Sequence, residues 1–203
     1  MDELYGQAPT TELDAVNVML AAGGEAPVDT LDETTLMAEG QCLRILRRES
    51  RAFQTKGWTF NSDDAYKLPA ANDGTVPLPT NCLRFKPVGY DKGRPLVYRA
   101  GKVYDRYNNT FNIGRTVFGD IVSLLDFCDM PEGARYFVTI RCARMFQDTT
   151  LGDAELHQFE EKDELAAWAT FLNEETDDAG YNVVKDSPSV RTTIQNRYRH
   201  TMT

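Results

Sequence analysis

Asp129-Met130-Pro131-Glu132-Gly133-Ala134-Arg135-Tyr136-Phe137-Val138-Thr139-Ile140-Arg141-Cys142-Ala143-Arg144-Met145-Phe146-Gln147 is the stretch on which the reading of the fold turns. Asp129 is a cap residue, Pro131 suits an early helical turn, and Glu132 stands three places after the cap. The stretch therefore predicts a helix running to about Gln147. Ala134, Val138, Cys142 and Met145 recur on one face, and Phe137 and Ile140 widen the apolar arc. An arc that broad belongs to the most buried helix of a bundle.

Before this helix the chain has a different character. Trp58, Phe60, Tyr66, Phe85, Val97, Tyr98, Val103 and Tyr104 are aromatic or β-branched, as strands prefer. Pro69, Pro77, Pro79, Pro87 and Pro95 exclude long helices there. Leu96 to Asp105 reads as a hairpin turning at Ala100-Gly101, and Val117 to Phe127 as one more strand.

Both ends of the chain are helical in pattern. Leu13, Val16 and Leu20 repeat behind Thr10 and Thr11, which can cap, and Gly23-Gly24 ends that helix ahead of Pro27. A second helix is expected from Asp32 or Thr34 to about Lys56, with Leu36, Leu43, Leu46 and Phe53 as its stripe and Gly57 as its stop. After Gly152 a fourth helix of about 25 residues is expected, with Leu165, Trp168 and Leu172 inward and Gly180 closing it. The fold class that follows is α+β: a mostly helical four-helix bundle formed by both chain ends, with an inserted β-rich domain. The expected division is a discontinuous helical domain at 1–56 and 129–180, a β-rich domain at 57–128, and an extended tail at 181–203.

The 203 residues are 41% hydrophobic, enough for a real core, and carry a net charge of −9. That balance argues against a protein that wraps nucleic acid, which needs many cations facing phosphates. It suits a protein that must stay soluble at high concentration, or a surface that DNA slides past without sticking. Met1-Asp2-Glu3 lacks the start of a signal peptide, and no apolar run is long enough for a membrane helix, so a soluble chain is expected. Cys42, Cys82, Cys128 and Cys142 form no C-x-x-C pair, and reduced, mostly buried thiols are expected. Asn108-Asn109-Thr110 matches a glycosylation pattern but is idle without secretion.

The charge is not spread evenly. Between Gly152 and Gly180 there are ten acids and one base, Lys162, a net of −9. The tail from Tyr181 holds four bases against one acid, a net of +3. Arg44, Arg47, Arg48 and Arg51 make a basic stripe on the second helix. Acidic and basic stripes in one chain invite pairing within a subunit or between neighbours, which sets orientation more than stability.

Patterns for chemistry are thin. There is no phosphate-binding glycine loop, H-E-x-x-H, EF-hand or G-x-S-x-G elbow, and no cofactor or metal is expected. His157 lies in the acidic helix and His200 near the chain end, both poor places for a preorganised base. Carboxylates in the aromatic region, Asp63, Asp64 and Asp105, leave a glycan hydrolase as the alternative reading, with a turn role favoured for all three. A single-strand-binding module using the same aromatics is a third, weakened by the acidic composition.

The order of five stretches then carries a resemblance. They are Glu12-Leu13-Asp14-Ala15-Val16-Asn17 with Gly24-Glu25-Ala26-Pro27-Val28; Gly57-Trp58-Thr59-Phe60-Asn61; Val103-Tyr104-Asp105-Arg106; Met130-Pro131-Glu132 through Arg135-Tyr136 with Arg144-Met145-Phe146; and Gly180-Tyr181-Asn182. In order and spacing, from about residue 10 to 184, the chain resembles the tail tubular protein A family, adaptors of short-tailed, T-odd-type bacteriophages. It departs at Gly23, where a larger residue is expected before Gly24.

The resemblance implies a non-enzymatic virion protein, one subunit of a homo-dodecameric ring at the head–tail interface, assembled in the host cytoplasm. Its implied partners are the portal protein, the tail nozzle (tail tubular protein B) and the tail fibres. Genomic DNA would pass through the channel without specific binding, and no membrane would be involved. The helical domain would form the ring wall, the C-terminal segment would reach the portal, and the β-rich domain would help meet nozzle and fibres. From charge placement, Arg191, Arg197 and Tyr198 are expected at the portal. Arg44, Arg48 and Arg51 are expected against Glu160, Glu161 and Glu164 between subunits.

Overall fold

The Thr11 hydroxyl accepts the Asp14 amide at 3.2 Å, and the Asp14 carboxylate accepts the Thr11 amide at 2.9 Å. This reciprocal box starts α1, Glu12–Ala22, as the cap residues predict. In a computed structural model the described residues are 10–31, 38–150 and 154–178, side chains at 154–161 and 178 excepted. Four helices and two small antiparallel sheets make a mixed α+β chain. The expected start of the second helix, with Leu36, lies outside the described residues. So do Gly152, Gly180 and the tail at 181–203.

α2 is Ala38–Gln54, α3 is Glu132–Thr150 and α4 is Ala154–Asp178. α3 touches each of the other three, as its broad apolar arc requires. Ten of its residues are buried, among them Ala134, Phe137, Val138, Cys142 and Phe146. α1 runs parallel to α3: Thr10 meets Glu132 at one end, and Gly23 meets Phe146 at the other. α2 and α4 run antiparallel to it: Gln54 meets Met130 while Glu49 meets Arg141, and Glu174 approaches Gly133 while Glu164 meets Arg144. Leu43, Leu46 and Phe53 of α2 are buried in the same cluster as Ala15, Val16, Met19 and Leu20 of α1.

The expectation that Asp129 caps α3 is corrected. Asp129 ends a 3-10 turn, Phe127–Asp129, and the helix begins at Glu132. The Glu132 carboxylate instead accepts the Thr10 amide at 3.0 Å, tying the start of α1 to the first turn of α3. The inward face of α4 is corrected as well. Ala167 and Phe171 are 2% exposed, Trp168 is half-buried, but Leu165 and Leu172 are 60% and 36% exposed. The reason is that α4 reaches the core through aromatic rings, and Phe171 lies on the same helical face as Ala167.

Strand β5, Val117–Ser123, is the centre of a three-stranded sheet between β1, Ser62–Leu68, and β2, Cys82–Pro87. Both neighbours are antiparallel to it, and β1 carries a bulge between Asp63 and Tyr66. β5 is shorter than the expected strand because Phe127 turns away into the helical cluster. β3, Leu96–Arg99, and β4, Lys102–Asp105, form the expected hairpin. Ala100 and Gly101 both have positive φ, 49° and 74°, as the mirror-image two-residue turn requires. Leu68, Val76, Phe85, Leu96, Val103, Val117 and Ile121 form a second apolar cluster under these strands.

Trp58 and Phe60, read as strand residues, belong to the helical cluster, carried by a 3-10 turn at Thr59–Asn61. Two glycines are set by close approach. The Phe146 ring occupies the space a Cβ at Gly23 would need, which accounts for the small residue there. At Gly119 in β5 a Cβ would overlap the Phe85 ring and press on the Lys86 carbonyl oxygen at 2.9 Å. Gly119→Ala is therefore expected to lower stability by about 1–3 kcal/mol through overpacking. A urea midpoint unchanged from the parent protein would contradict it.

Candidate functional site

α4 is held on its neighbours by the carboxylates of Glu164 and Glu175, the latter accepting the Thr59 amide at 2.5 Å, and by a set of rings. Glu164 accepts from Arg144 Nε at 2.6 Å and from Arg141 at 3.2 Å. Arg141 also meets Glu49 of α2 at 3.3 Å, so one guanidinium bridges α2 and α4. Below these charges Phe53, Trp58, Phe137, Trp168 and Phe171 pack mostly in tilted and edge-on pairs, with centroids 4.8 Å apart for Trp58–Phe171 and 4.9 Å for Phe137–Trp168, and with Phe137 and Phe171 stacked at 6.4 Å. Such pairs add to burial through the positive ring edge meeting a negative face. The Lys56 ammonium lies 5.0 Å from the Trp168 ring centre, capping the cluster at the surface.

A second junction joins the helices to the strands. Gln54 is fully buried at the end of α2. Its amide accepts the Leu125 N–H at 2.8 Å and donates to the Leu125 carbonyl at 3.0 Å. Asn61, also buried, donates to the Gln54 carbonyl at 3.0 Å and to the Ser123 carbonyl at 2.9 Å. Two side-chain amides thus stitch together the segment leaving α2 and the segment returning from β5. A polar group buried this deeply is tolerated because its partners are supplied.

The family model of the tail tubular protein matches residues 13–181. The chain belongs to the tail tubular protein family. It is a phage tail structural protein, located in the virion tail, and tail tubular proteins associate with other tail and portal components. No curated protein compared with the chain matches it. No helix among the described residues is long and apolar enough to cross a membrane.

Arg44, Arg48 and Arg51 all stand exposed on α2. Arg48 pairs with Glu49 of its own chain at 3.0 Å, and no ion pair is formed by Arg44 or Arg51 among the described residues. Glu164 is engaged by Arg141 and Arg144 within the subunit, a pairing that no local sequence pattern names. Arg141 and Arg144 at three-residue spacing inside an apolar helix were the available signal. The Glu160 and Glu161 side chains lie outside the described residues, as do Arg191, Arg197 and Tyr198.

Asp63 and Asp64 are exposed, but on strand β1 at its bulge rather than in the turn expected for them, because this edge strand turns their side chains to solvent. Asp105 accepts the Tyr107 and Asn108 amides at 2.8 and 3.1 Å, the turn role favoured for it. The Asn108 backbone and side chain hold its carboxyl below the usual range, so it stays ionised rather than offering a proton. Cys42, Cys82 and Cys142 are buried and Cys128 is exposed; burial pushes the Cys42 thiol up to about 12. No cluster of metal-ligating side chains occurs among the described residues.

One buried charge lies in the strand region. Asp91 is 1% exposed and is bound by two nitrogens of Arg115, whose guanidinium also meets the Thr116 carbonyl at 3.1 Å. Arg115 holds the Asp91 carboxyl below its ordinary value. A carboxylate lowered by folding adds stability that is present above the unfolded value of about 4 and is lost as pH falls through the folded value. Stability is thus expected to fall below about pH 4, and Asp91→Asn to flatten that limb. Urea titrations between pH 2 and 6, at about half-unit steps, read this directly; parallel acid limbs in both proteins would contradict it.

Proposed function

We propose that the chain is one subunit of a twelve-membered adaptor ring that joins the portal to the tail nozzle and lines part of the channel for DNA ejection. The family match over residues 13–181 is the observation that carries this reading. In the proposed division, residues 1–56 and 129–180 form a helical ring wall and 57–128 an inserted β-rich unit. The two separate apolar clusters support it, one fed by all four helices and one by the strands. The ring is assembled in the host cytoplasm, takes no cofactor and catalyses nothing. It locks the portal after packaging and gives the nozzle, tail tubular protein B, and the fibres a platform. An acidic wall offers DNA in the channel little to hold.

The portal contact is assigned to Arg191, Arg197 and Tyr198, from the basic balance of residues 181–203. Between subunits, Arg44, Arg48 and Arg51 face the acids of a neighbour's α4, Glu160, Glu161 and Glu164. Glu164, already bound by Arg141 and Arg144, also fixes α4 in place for that contact. Arg48→Glu with Arg51→Glu is expected to abolish ring assembly while leaving the fold intact. Unchanged rings by size-exclusion chromatography would end the pairing assignment. Electron micrographs of the protein on the portal of the same phage test the function itself. End-on views with twelve-fold symmetry and an open channel are expected, and bare portals would contradict the proposal.

A further inference from the structure

Resting on the ring reading, we infer that a groove between α2 and α3 receives the outward edge of α4 from a second copy, with Leu165 and Leu172 seated in it. The groove has a volume of about 410 Å³ and is lined by Gln41, Arg44, Ile45, Arg48, Met145 and Thr149. Half-buried Ile45 and Met145 are its apolar floor, and exposed Arg44 and Arg48 are its rim. α4 supplies the complementary shape. It grips its own subunit with Ala167 and Phe171, which leaves Leu165 and Leu172 60% and 36% exposed. Seven residues apart, they stand on one side of the helix, about 10 Å from each other along its axis.

Charge selects the occupant. The segment from Gly152 to Gly180 carries a net charge of −9, and Glu161 precedes Leu165 by one helical turn. The rim is cationic, and Arg44 forms no ion pair among the described residues. An apolar edge in an acidic helix therefore meets an apolar groove rimmed by arginines, and both belong to the same chain. Because edge and groove are different patches, the contact repeats head to tail and generates a ring when the rotation closes. The leucines fix the register of that contact, which long flexible ion pairs alone do not.

The test uses the full chain with Cys128→Ser, which removes the exposed native thiol, carrying Ile45→Cys and Leu165→Cys together. Mixed with the portal of the same phage and mildly oxidised, it is expected to give a ladder of disulfide-linked multimers on a non-reducing gel. Each single cysteine variant stays a monomer band. Cα atoms further apart than about 7 Å do not cross-link, so the ladder reports direct contact. Rings seen by native mass spectrometry without a ladder would overturn the contact and leave the ring reading standing. A parent chain that forms no ring would overturn both. A cross-link to the portal itself would put a different occupant in the groove and overturn the contact. Leu165→Glu, at a site already exposed, is expected to weaken subunit association by about tenfold or more; equal assembly would count against the seat.

Discussion

Phe171→Ala is expected to lower the stability of the protein by about 3–5 kcal/mol, the range for removing a fully buried ring. Phe171 is 2% exposed and packs against Phe53, Trp58, Phe137 and Trp168, so its loss opens a cavity lined by aromatic rings that cannot all move inward. Apart from Ala167 it is the only buried residue of α4 among the described residues, and Ala167 has little surface to contribute. For a chain of this length the corresponding fall in Tm is roughly 6–20 °C. Calorimetry checks it. A shift of less than about 2 °C would mean that α4 is held by its charges rather than by its rings.

Gln54→Leu is expected to cost about 2–4 kcal/mol, although the volume is nearly kept and a polar group is replaced by an apolar one in the interior. Leucine leaves the Leu125 N–H and carbonyl without the partner that now meets both, and a stranded buried group costs more than its bond contributes. Because Gln54 joins the end of α2 to the segment after β5, the change also loosens the strands from the helices. Hydrogen exchange shows where: the Leu125 amide is expected to lose protection first. If it keeps its protection and the Tm is unchanged, the junction is held by something other than this amide pair.

The helices were legible wherever one local rule sufficed. Thr11 with Asp14 makes its cap from four consecutive residues, and the arc of α3 is written in its own spacing. The hairpin at Ala100-Gly101 was legible for the same reason, since two residues with positive φ define it. What failed depended on distant partners. Leu165 and Leu172 read as core because periodicity marks an apolar side without saying which neighbour takes it. The rings of Phe53, Trp58 and Phe137 take Phe171 instead. Trp58 and Phe60 read as strand from their residue type, but tertiary packing outweighed that preference. Asp129 satisfied the cap pattern, yet the turn at Phe127–Asp129 placed it outside the helix.

The arginines of α2 were legible as an exposed stripe because they recur at three- and four-residue steps beside the apolar one. The engagement of Glu164 by Arg141 and Arg144 was not, because twenty or more residues separate the partners and the segment holds nine other acids. A charge count weighs all ten equally; only the packing of α4 on α3 shows that Glu164 is the one the α3 arginines engage.

Native mass spectrometry of the full chain, alone and mixed with the portal of the same phage, tests the adaptor reading most directly. An assembly of twelve chains, free or seated on the portal, is expected, together with its loss in the Arg48→Glu, Arg51→Glu protein. A chain that stays monomeric and does not bind the portal would contradict it.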